Sequence, residues 1–113
     1  MDIYYFVDQR GHNPVKEFIH GLPAKEQEKI YAYIDELRRQ GHNLRRPMAD
    51  YLGAGIYELR PKANRVLYFF FLTNGVVLVH AIRKKTDKIP EHDLALAIRR
   101  KSEVGENQNI ERS

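Results

Sequence analysis

The chain lacks several residues and motifs on which common catalytic and structural devices depend. It contains no cysteine, so neither a disulfide nor a thiolate metal site supports the fold. Serine occurs only at Ser102 and Ser113, in a polar C-terminal segment, which argues against a serine nucleophile. The five histidines are scattered without metal-ligand spacing, and no glycine-rich phosphate loop is present. We therefore expect a protein that works without a metal or other cofactor.

Long hydrophobic runs are also missing. The longest, residues 66–72 and 76–82, are far shorter than the ~20 residues that span a bilayer. The first ten residues, MDIYYFVDQR, lack the basic start and long apolar run of a signal peptide. With 113 residues in all, these features predict one cytoplasmic domain that has no membrane partner.

The remaining sequence is organised around residues 55–87, GIYELRPKANRVLYFFFLTNGVVLVHAIRKKTD. Three apolar runs lie here, separated by turn signals at 61–64 and 73–75, and Asn74-Gly75 predicts a tight hairpin. This pattern predicts a three-stranded antiparallel meander. Two of the runs are apolar at almost every position, which is typical of strands covered on both faces.

Helices are predicted on both sides of this meander. After an aromatic strand at 3–7, Asn13-Pro14 starts a helix that ends near residue 20, and a second runs from 23 to 40. A last helix spans 90–101. The predicted fold is α+β: a twisted antiparallel sheet, in the order β-α-α-β-β-β-α, with a helical hairpin packed on one face. We expect residues 1–101 to form the domain and residues 102–113 to be a polar, flexible tail.

Basic residues collect at the ends of the predicted strands. The net charge of +4 favours an anionic partner, of which nucleic acid is the commonest. Arg60 and Arg65 flank one turn, and Lys84 and Lys85 follow the last strand. Such cations can bind a phosphate and stabilise the extra charge of a pentacoordinate transition state. RNA supplies its own nucleophile, the 2′-OH, so this chemistry needs neither a metal nor a nucleophilic side chain; solvated strand ends are the alternative.

Three residues are candidates for proton transfer, each with a structural alternative. Glu58 shares a strand face with Arg60 and is either a base or a salt-bridge partner. His80 lies in an apolar strand, where a buried structural role competes with a catalytic one. His92 stands at a helix start beside the cationic strand end, either as an acid or base or as a solvated side chain.

Several segments together resemble a known family. They are GIYELR, NRVLYFFF and VVLVHAIRKKTDKIP, in that order, followed by a short helix and preceded by NPVKEFI and a basic loop at 44–48. Over residues 1–101 the chain is similar to the RelE/HigB superfamily, the toxins of type II toxin–antitoxin systems. It is most similar to the phage-derived, HigB-like branch.

The resemblance implies an mRNA interferase that cuts message in the ribosomal A site without metal. It also implies a partner antitoxin, often with a helix-turn-helix domain. On this basis Arg65 and Lys85 carry transition-state charge, while Arg60 and Lys84 orient the RNA backbone. The candidate residues for binding RNA and the ribosome are Arg38, Arg39, Arg45, Arg46, Arg83 and Lys88.

The sequence departs from the family where proton transfer is concerned. Ile56 and Glu58 stand where some members carry lysines, and residues 90–92 stand where some carry a late tyrosine. The base and acid are therefore open among Glu58, His80 and His92. Two other functions compete with RNA cleavage: a ParE-like toxin that poisons DNA gyrase, and a non-catalytic nucleic-acid-binding protein of the same fold.

Overall fold

The structure, a computed structural model, describes residues 1–105 and 109–113. Its helices and strands, in chain order, are β1 Asp2–Phe6, α1 Pro14–His20, α2 Ala24–Gln40, β2 Ala49–Gly53, β3 Ile56–Leu59, β4 Asn64–Phe71, β5 Gly75–Arg83, α3 Glu91–Glu103 and β6 Ile110–Arg112. None of the helices in these two ranges is long and apolar enough to cross a membrane.

The strands form one six-stranded sheet in the order β2-β3-β4-β5-β1-β6. The predicted meander is β3–β4–β5, and the α+β class and the helical hairpin are confirmed. Two features of the sheet differ from the prediction. The predicted order lacked β2, which pairs antiparallel with β3 at the edge of the sheet. The sheet is also mixed, because β1 pairs with β5 in parallel, for example Tyr5 beside Leu78. The chain between these strands includes both hairpin helices, so β1 can run alongside β5 in the same direction.

Helices cover both faces of the sheet, as the continuous apolar strands predicted. On one face α1 and α2 bury Ile19, Ile34 and Leu37 against the sheet. On the other face α3 buries Ala97. The hairpin starts where the sequence indicated: Asn13 Oδ1 accepts the Lys16 backbone N–H at 3.1 Å, which caps α1.

The C-terminal segment differs from the prediction. We expected no regular structure from residue 102 onward, but α3 continues to Glu103 and Ile110–Arg112 forms β6, which pairs antiparallel with β1. Because β6 pairs through backbone hydrogen bonds, its residues need no particular side chains. The strand covers an edge of β1 that would otherwise be unpaired. Residues 106–108 of the predicted tail lie outside the described part of the chain.

The hairpin between β4 and β5 is also built differently. Gly75 is the first residue of β5 and pairs with Phe71, while the positive φ of 58° belongs to Leu72. The Asp2 backbone N–H donates to the Asn74 carbonyl at 2.9 Å as β1 joins the sheet. Gly75 is required for close approach instead: a Cβ there would lie 2.7 Å from the Phe71 carbonyl oxygen.

Three strand termini meet at one end of the sheet, which we call the basic end. Here β3 stops at Leu59, β4 begins at Asn64 and β5 stops at Arg83, with Asn64 paired to Arg83. The Lys84 backbone N–H donates to the Ala63 carbonyl and keeps the chain beyond β5 against the β3–β4 turn. The fold thus gathers the cations at 60–65 and 83–85.

Candidate functional site

A cavity of about 250 Å³ opens at the basic end, between the end of β5 and the start of α3. It is lined by Ile82, Arg83, Lys84, Lys85, Thr86, Lys88, Ile89, Pro90, His92 and Asp93. The structure therefore brings together five residues predicted from the sequence, namely Arg83, Lys84, Lys85, Lys88 and His92. We call this the first cavity.

Arg60 and Arg65 do not line the first cavity; both bind Glu58. Arg60 Nη1 donates to Glu58 Oε2 at 2.7 Å, and Arg65 Nε lies 3.6 Å from Glu58 Oε1. Only 2% of Glu58 and 3% of Arg65 is exposed. Of the two alternatives for Glu58, the structure contains the salt bridge, and burial leaves its carboxylate no open path to a substrate.

Arg65 also fastens the turn that leads into β4. Its Nη1 donates to the carbonyl oxygens of Lys62 and Asn64, each at 2.8 Å. Burial, followed by the nearby charge of Arg60, lowers the pKa of Arg65, but an arginine stays protonated at neutral pH. In this conformation the guanidinium supports the turn and adds positive charge without reaching the surface.

Asp87 interacts electrostatically with Arg60 and Arg65 and also pairs with Lys84, which lines the first cavity. Lys84 Nζ lies 3.0 Å from Asp87 Oδ1, and this hydrogen bond is the main reason that the pKa of Asp87 is lowered. The charges of Arg60 and Arg65 lower the same pKa further. The two arginines and Lys84 therefore act on one carboxylate, although only Lys84 lines the cavity.

His80 is held between β5 and α3. Its Nε2 lies 2.7 Å from Asp93 Oδ1, and its Nδ1 lies 3.3 Å from Arg100 Nη1. Because arginine can only donate, Nδ1 accepts and Nε2 carries the proton of a neutral ring. Burial, the largest effect, lowers the pKa of His80. The structural alternative for His80 matches this arrangement, since the ring fastens α3 to the sheet.

Sequence reasoning missed Asp93 and Arg100 as partners in this cluster. Asp93 Oδ1 binds His80, and its Oδ2 lies 3.2 Å from His92 Nε2. Arg100 donates to the Val79 carbonyl at 2.8 Å. Their spacing from the buried Ala97, four and three residues, was the available signal, because it places all three on the helix face toward the sheet.

The other predicted RNA-binding arginines lie elsewhere. Arg38 and Arg39 pair with Asp35 and Glu36 along α2. Arg83 binds Glu26, twelve residues before Arg38 on that helix, so the Arg38 backbone is about 18 Å farther along the helix axis.

Arg45 and Arg46 lie nearer to the basic end, on the loop before β2. Arg46 Nη2 lies 2.8 Å from Asp50 Oδ2, and Arg45 is exposed. The Arg60 backbone N–H donates to the Met48 carbonyl at 2.8 Å, which ties this loop to the end of β3. Four of the arginines predicted to bind RNA or the ribosome lie outside the first cavity. Of these four, only Arg45 and Arg46 extend the basic end.

The arrangement of strands and helices is that of the RelE toxins. The chain superposes on the archaeal RelE in the RelE–RelB complex from Pyrococcus horikoshii OT3 with a TM-score of 0.54 and 18% identity, over 70% of this chain and 91% of that one. The isolated RelE toxin of E. coli matches with a TM-score of 0.49 and 18% identity, over 85% of this chain and 97% of that one. No curated protein matches the sequence.

Residues 17–102 match the family model described as "Phage derived protein Gp49-like (DUF891)". The chain belongs to this family. The resemblance to the RelE/HigB superfamily and its phage-derived branch is thereby confirmed for family and fold.

Proposed function

We propose that the protein is the toxin of a type II toxin–antitoxin pair and cleaves mRNA on the ribosome. The observation that carries this proposal is the first cavity, where Lys84, Lys85 and Lys88 surround a space of about 250 Å³ beside His92. Lysine ammonium groups that line one cavity suit a phosphodiester, whose charge rises in the transition state.

In the proposed reaction the RNA supplies the nucleophile. The 2′-oxygen forms a bond to the adjacent phosphorus, and the bond from phosphorus to the 5′-oxygen of the next nucleotide breaks. A base takes the 2′-OH proton, and an acid gives a proton to the leaving 5′-oxygen. The products are a 2′,3′-cyclic phosphate and a 5′-OH end, so atoms and charge balance without a metal or cofactor.

The cations divide into two groups in this scheme. Lys84 and Lys85 line the cavity and contact the phosphate, with Lys85 stabilising the transition state and Lys84 orienting the backbone. Arg65 contributes charge from beneath and holds the turn through the carbonyls of Lys62 and Asn64. Arg60, whose guanidinium is partly exposed, helps to orient the RNA.

His92 is the proton-transfer candidate with access to the cavity. Its side chain is 84% exposed, whereas Glu58 is buried in its ion pairs and His80 is bound on both ring nitrogens. Asp93 Oδ2 lies 3.2 Å from His92 Nε2 and can hold the ring toward the cavity. We therefore assign acid–base chemistry to His92, with Asp93 as its positioning residue.

A protein partner belongs to the same proposal. The archaeal structure of this fold is a RelE–RelB complex. By analogy we propose that this chain acts in the cytoplasm and is held inactive by an antitoxin, one with a helix-turn-helix domain.

Induction of the protein in cells, followed by mapping of RNA 5′ ends, tests the function. We expect new ends within translated codons, lost in Lys84→Ala/Lys85→Ala and retained in the control Arg112→Ala. Arg112 pairs with Asp2, beside Gly75 and away from the basic end. DNA damage with intact message would instead indicate a ParE-like gyrase toxin. Harmless expression would indicate a non-catalytic binding protein.

A further inference from the structure

A second cavity lies at the basic end, on the side of the sheet that carries α2. Its volume is about 290 Å³, and it is lined by Lys25, Glu26, Lys29, Pro61, Lys62, Ala63, Asn64 and Arg83. Apart from Arg83, none of these residues lines the first cavity. The turn at 61–64 separates the two cavities.

Positive charge dominates the second cavity. Its lining has four cations and one carboxylate, that of Glu26. Glu26 Oε1 already accepts from Asn64 Nδ2 at 2.9 Å and from Arg83 Nη2 at 2.7 Å. Within residues 1–105 and 109–113, no carboxylate pairs with Lys25 or Lys62. An anion in the cavity would therefore meet two lysines that are not neutralised.

Asn64 gives the cavity a second kind of recognition. The residue is 1% exposed, and its Oδ1 has no hydrogen-bond partner among the residues that the structure describes. A buried acceptor left unpaired is unfavourable, so a ligand N–H that reaches this oxygen is favoured. Pro61 and Ala63 add apolar surface beside it. Apolar contact, one acceptor and a ring of cations together suit a nucleobase joined to a phosphate.

The two cavities have one lining residue in common. Arg83 lines both of them. Lys62 and Asn64 line the second cavity, while their carbonyl oxygens accept from Arg65. Arg65 pairs across the sheet with Ile82, which lines the first cavity. An RNA strand that crosses the turn would therefore meet cations on either side of it.

We propose that the second cavity binds one nucleotide of an RNA strand that passes over the basic end. Its base packs on Pro61 and Ala63 and donates an N–H to Asn64 Oδ1, while Lys25 and Lys62 hold its phosphate. The nucleotide belongs either to the message or to ribosomal RNA, which present the same chemistry. That it neighbours a cleavage site rests on the proposed function, whereas the binding itself does not.

NMR titration of the purified, ¹⁵N-labelled protein with each nucleoside 5′-monophosphate tests the binding. We expect amide shift changes at residues 25–29 and 62–64, and affinity at least tenfold weaker in Lys25→Ala/Lys62→Ala. Arg112→Ala, far from both cavities, should bind as the wild type does. Lys25→Arg/Lys62→Arg should retain binding, which separates lost charge from a disturbed fold.

Two results would overturn the proposal. The first is an absence of shift changes at these residues, which would indicate that the cations bind a carboxylate-bearing protein partner instead of a nucleotide. The second is equal affinity for inorganic phosphate and the nucleotides, because the base would then contribute nothing. Lys25→Ala/Lys62→Ala in a binding assay with ribosomes separates the RNA sources: weaker binding to vacant ribosomes indicates ribosomal RNA, and weaker binding only when message is present indicates message. If the protein binds nucleotides but does not cleave message, the proposed function is contradicted and the binding proposal is not.

Discussion

Arg65 and Glu58 form a buried ion pair beneath the basic end, with 3.6 Å between Arg65 Nε and Glu58 Oε1. Glu58 also binds Arg60, so one carboxylate serves two guanidinium groups. This arrangement changes how a loss of activity at Arg65 should be interpreted. An arginine that fastens a turn can abolish cleavage when it is removed without ever contacting RNA.

Replacing Arg65 should therefore damage the fold itself. Arg65→Ala removes the donor to the carbonyls of Lys62 and Asn64 and leaves Glu58 with Arg60 alone, so we expect a loss of about 1–3 kcal/mol. Urea denaturation should show this loss, while Lys85→Ala should change the free energy of unfolding by less than about 0.5 kcal/mol. Equal stability of the two variants would contradict the structural role of Arg65.

The His80 contact predicts that stability depends on pH. Burial lowers the pKa of His80 from its ordinary 6.5, so between the two pKa values the unfolded chain binds more protons than the folded one. Stability is greatest above about pH 6.5 and falls as the pH decreases toward the pKa of the folded state. For one proton the slope cannot exceed about 1.4 kcal/mol per pH unit.

Denaturation of His80→Gln and of a control, His20→Gln, between pH 7.5 and 5 measures this effect. We expect the fall in stability to shrink in His80→Gln and to persist in His20→Gln, because His20 is exposed and does not contact His80 or its partners. Arg100 and Asp93, which face His80 from α3, stay in place in both variants. An unchanged pH dependence in His80→Gln would show that His80 is not the titrating group.

Leu72 should be improved by glycine. It is 76% exposed and has a φ of 58°, a conformation that is strained for a side chain with a Cβ. Leu72→Gly relieves this strain at little loss of packing, and we expect a gain of about 0.5–1 kcal/mol in thermal or urea unfolding. The neighbouring Thr73→Gly is the control and should give no gain. Destabilisation by Leu72→Gly would mean that the side chain packs more than its exposure indicates.

The assignment of His92 predicts a specific catalytic loss. His92→Gln should reduce the rate of message cleavage by about 10²–10⁴-fold and leave the free energy of unfolding unchanged. The exposed His20 offers a matched control, since His20→Gln should cleave as the wild type does. Full activity in His92→Gln would move proton transfer to another group.

Local patterns predicted most of the fold because local physics decides most of it. Helix α1 starts at Asn13-Pro14 as predicted, and the predicted second helix forms and buries Ile30, Ile34 and Leu37. The apolar runs form the strands of the predicted meander. Contacts distant in sequence decided the rest. The parallel pairing of β1 with β5 depends on how the hairpin helices cross the sheet, and no local signal at Ile110–Arg112 indicated a strand.

The candidate site divides in the same way. Strand ends could be found from the turns, so Lys84, Lys85 and their neighbours were predicted and do line one cavity. Burial could not be read from the sequence, and it separates Arg65 from that cavity. The contacts of His80 with Asp93 and Arg100 join β5 to α3, and such pairings become visible only when the two elements are docked.

The proposed function requires that Lys84 and Lys85 form part of a site that cleaves message on the ribosome. The most direct measurement is the single-turnover cleavage rate of a message on purified ribosomes, for the wild type, Lys85→Ala and Arg112→Ala. We predict cleavage within the A-site codon, a rate about 100-fold lower in Lys85→Ala, and no change in Arg112→Ala. An intact message with the wild-type protein, or equal rates in wild type and Lys85→Ala, would contradict it.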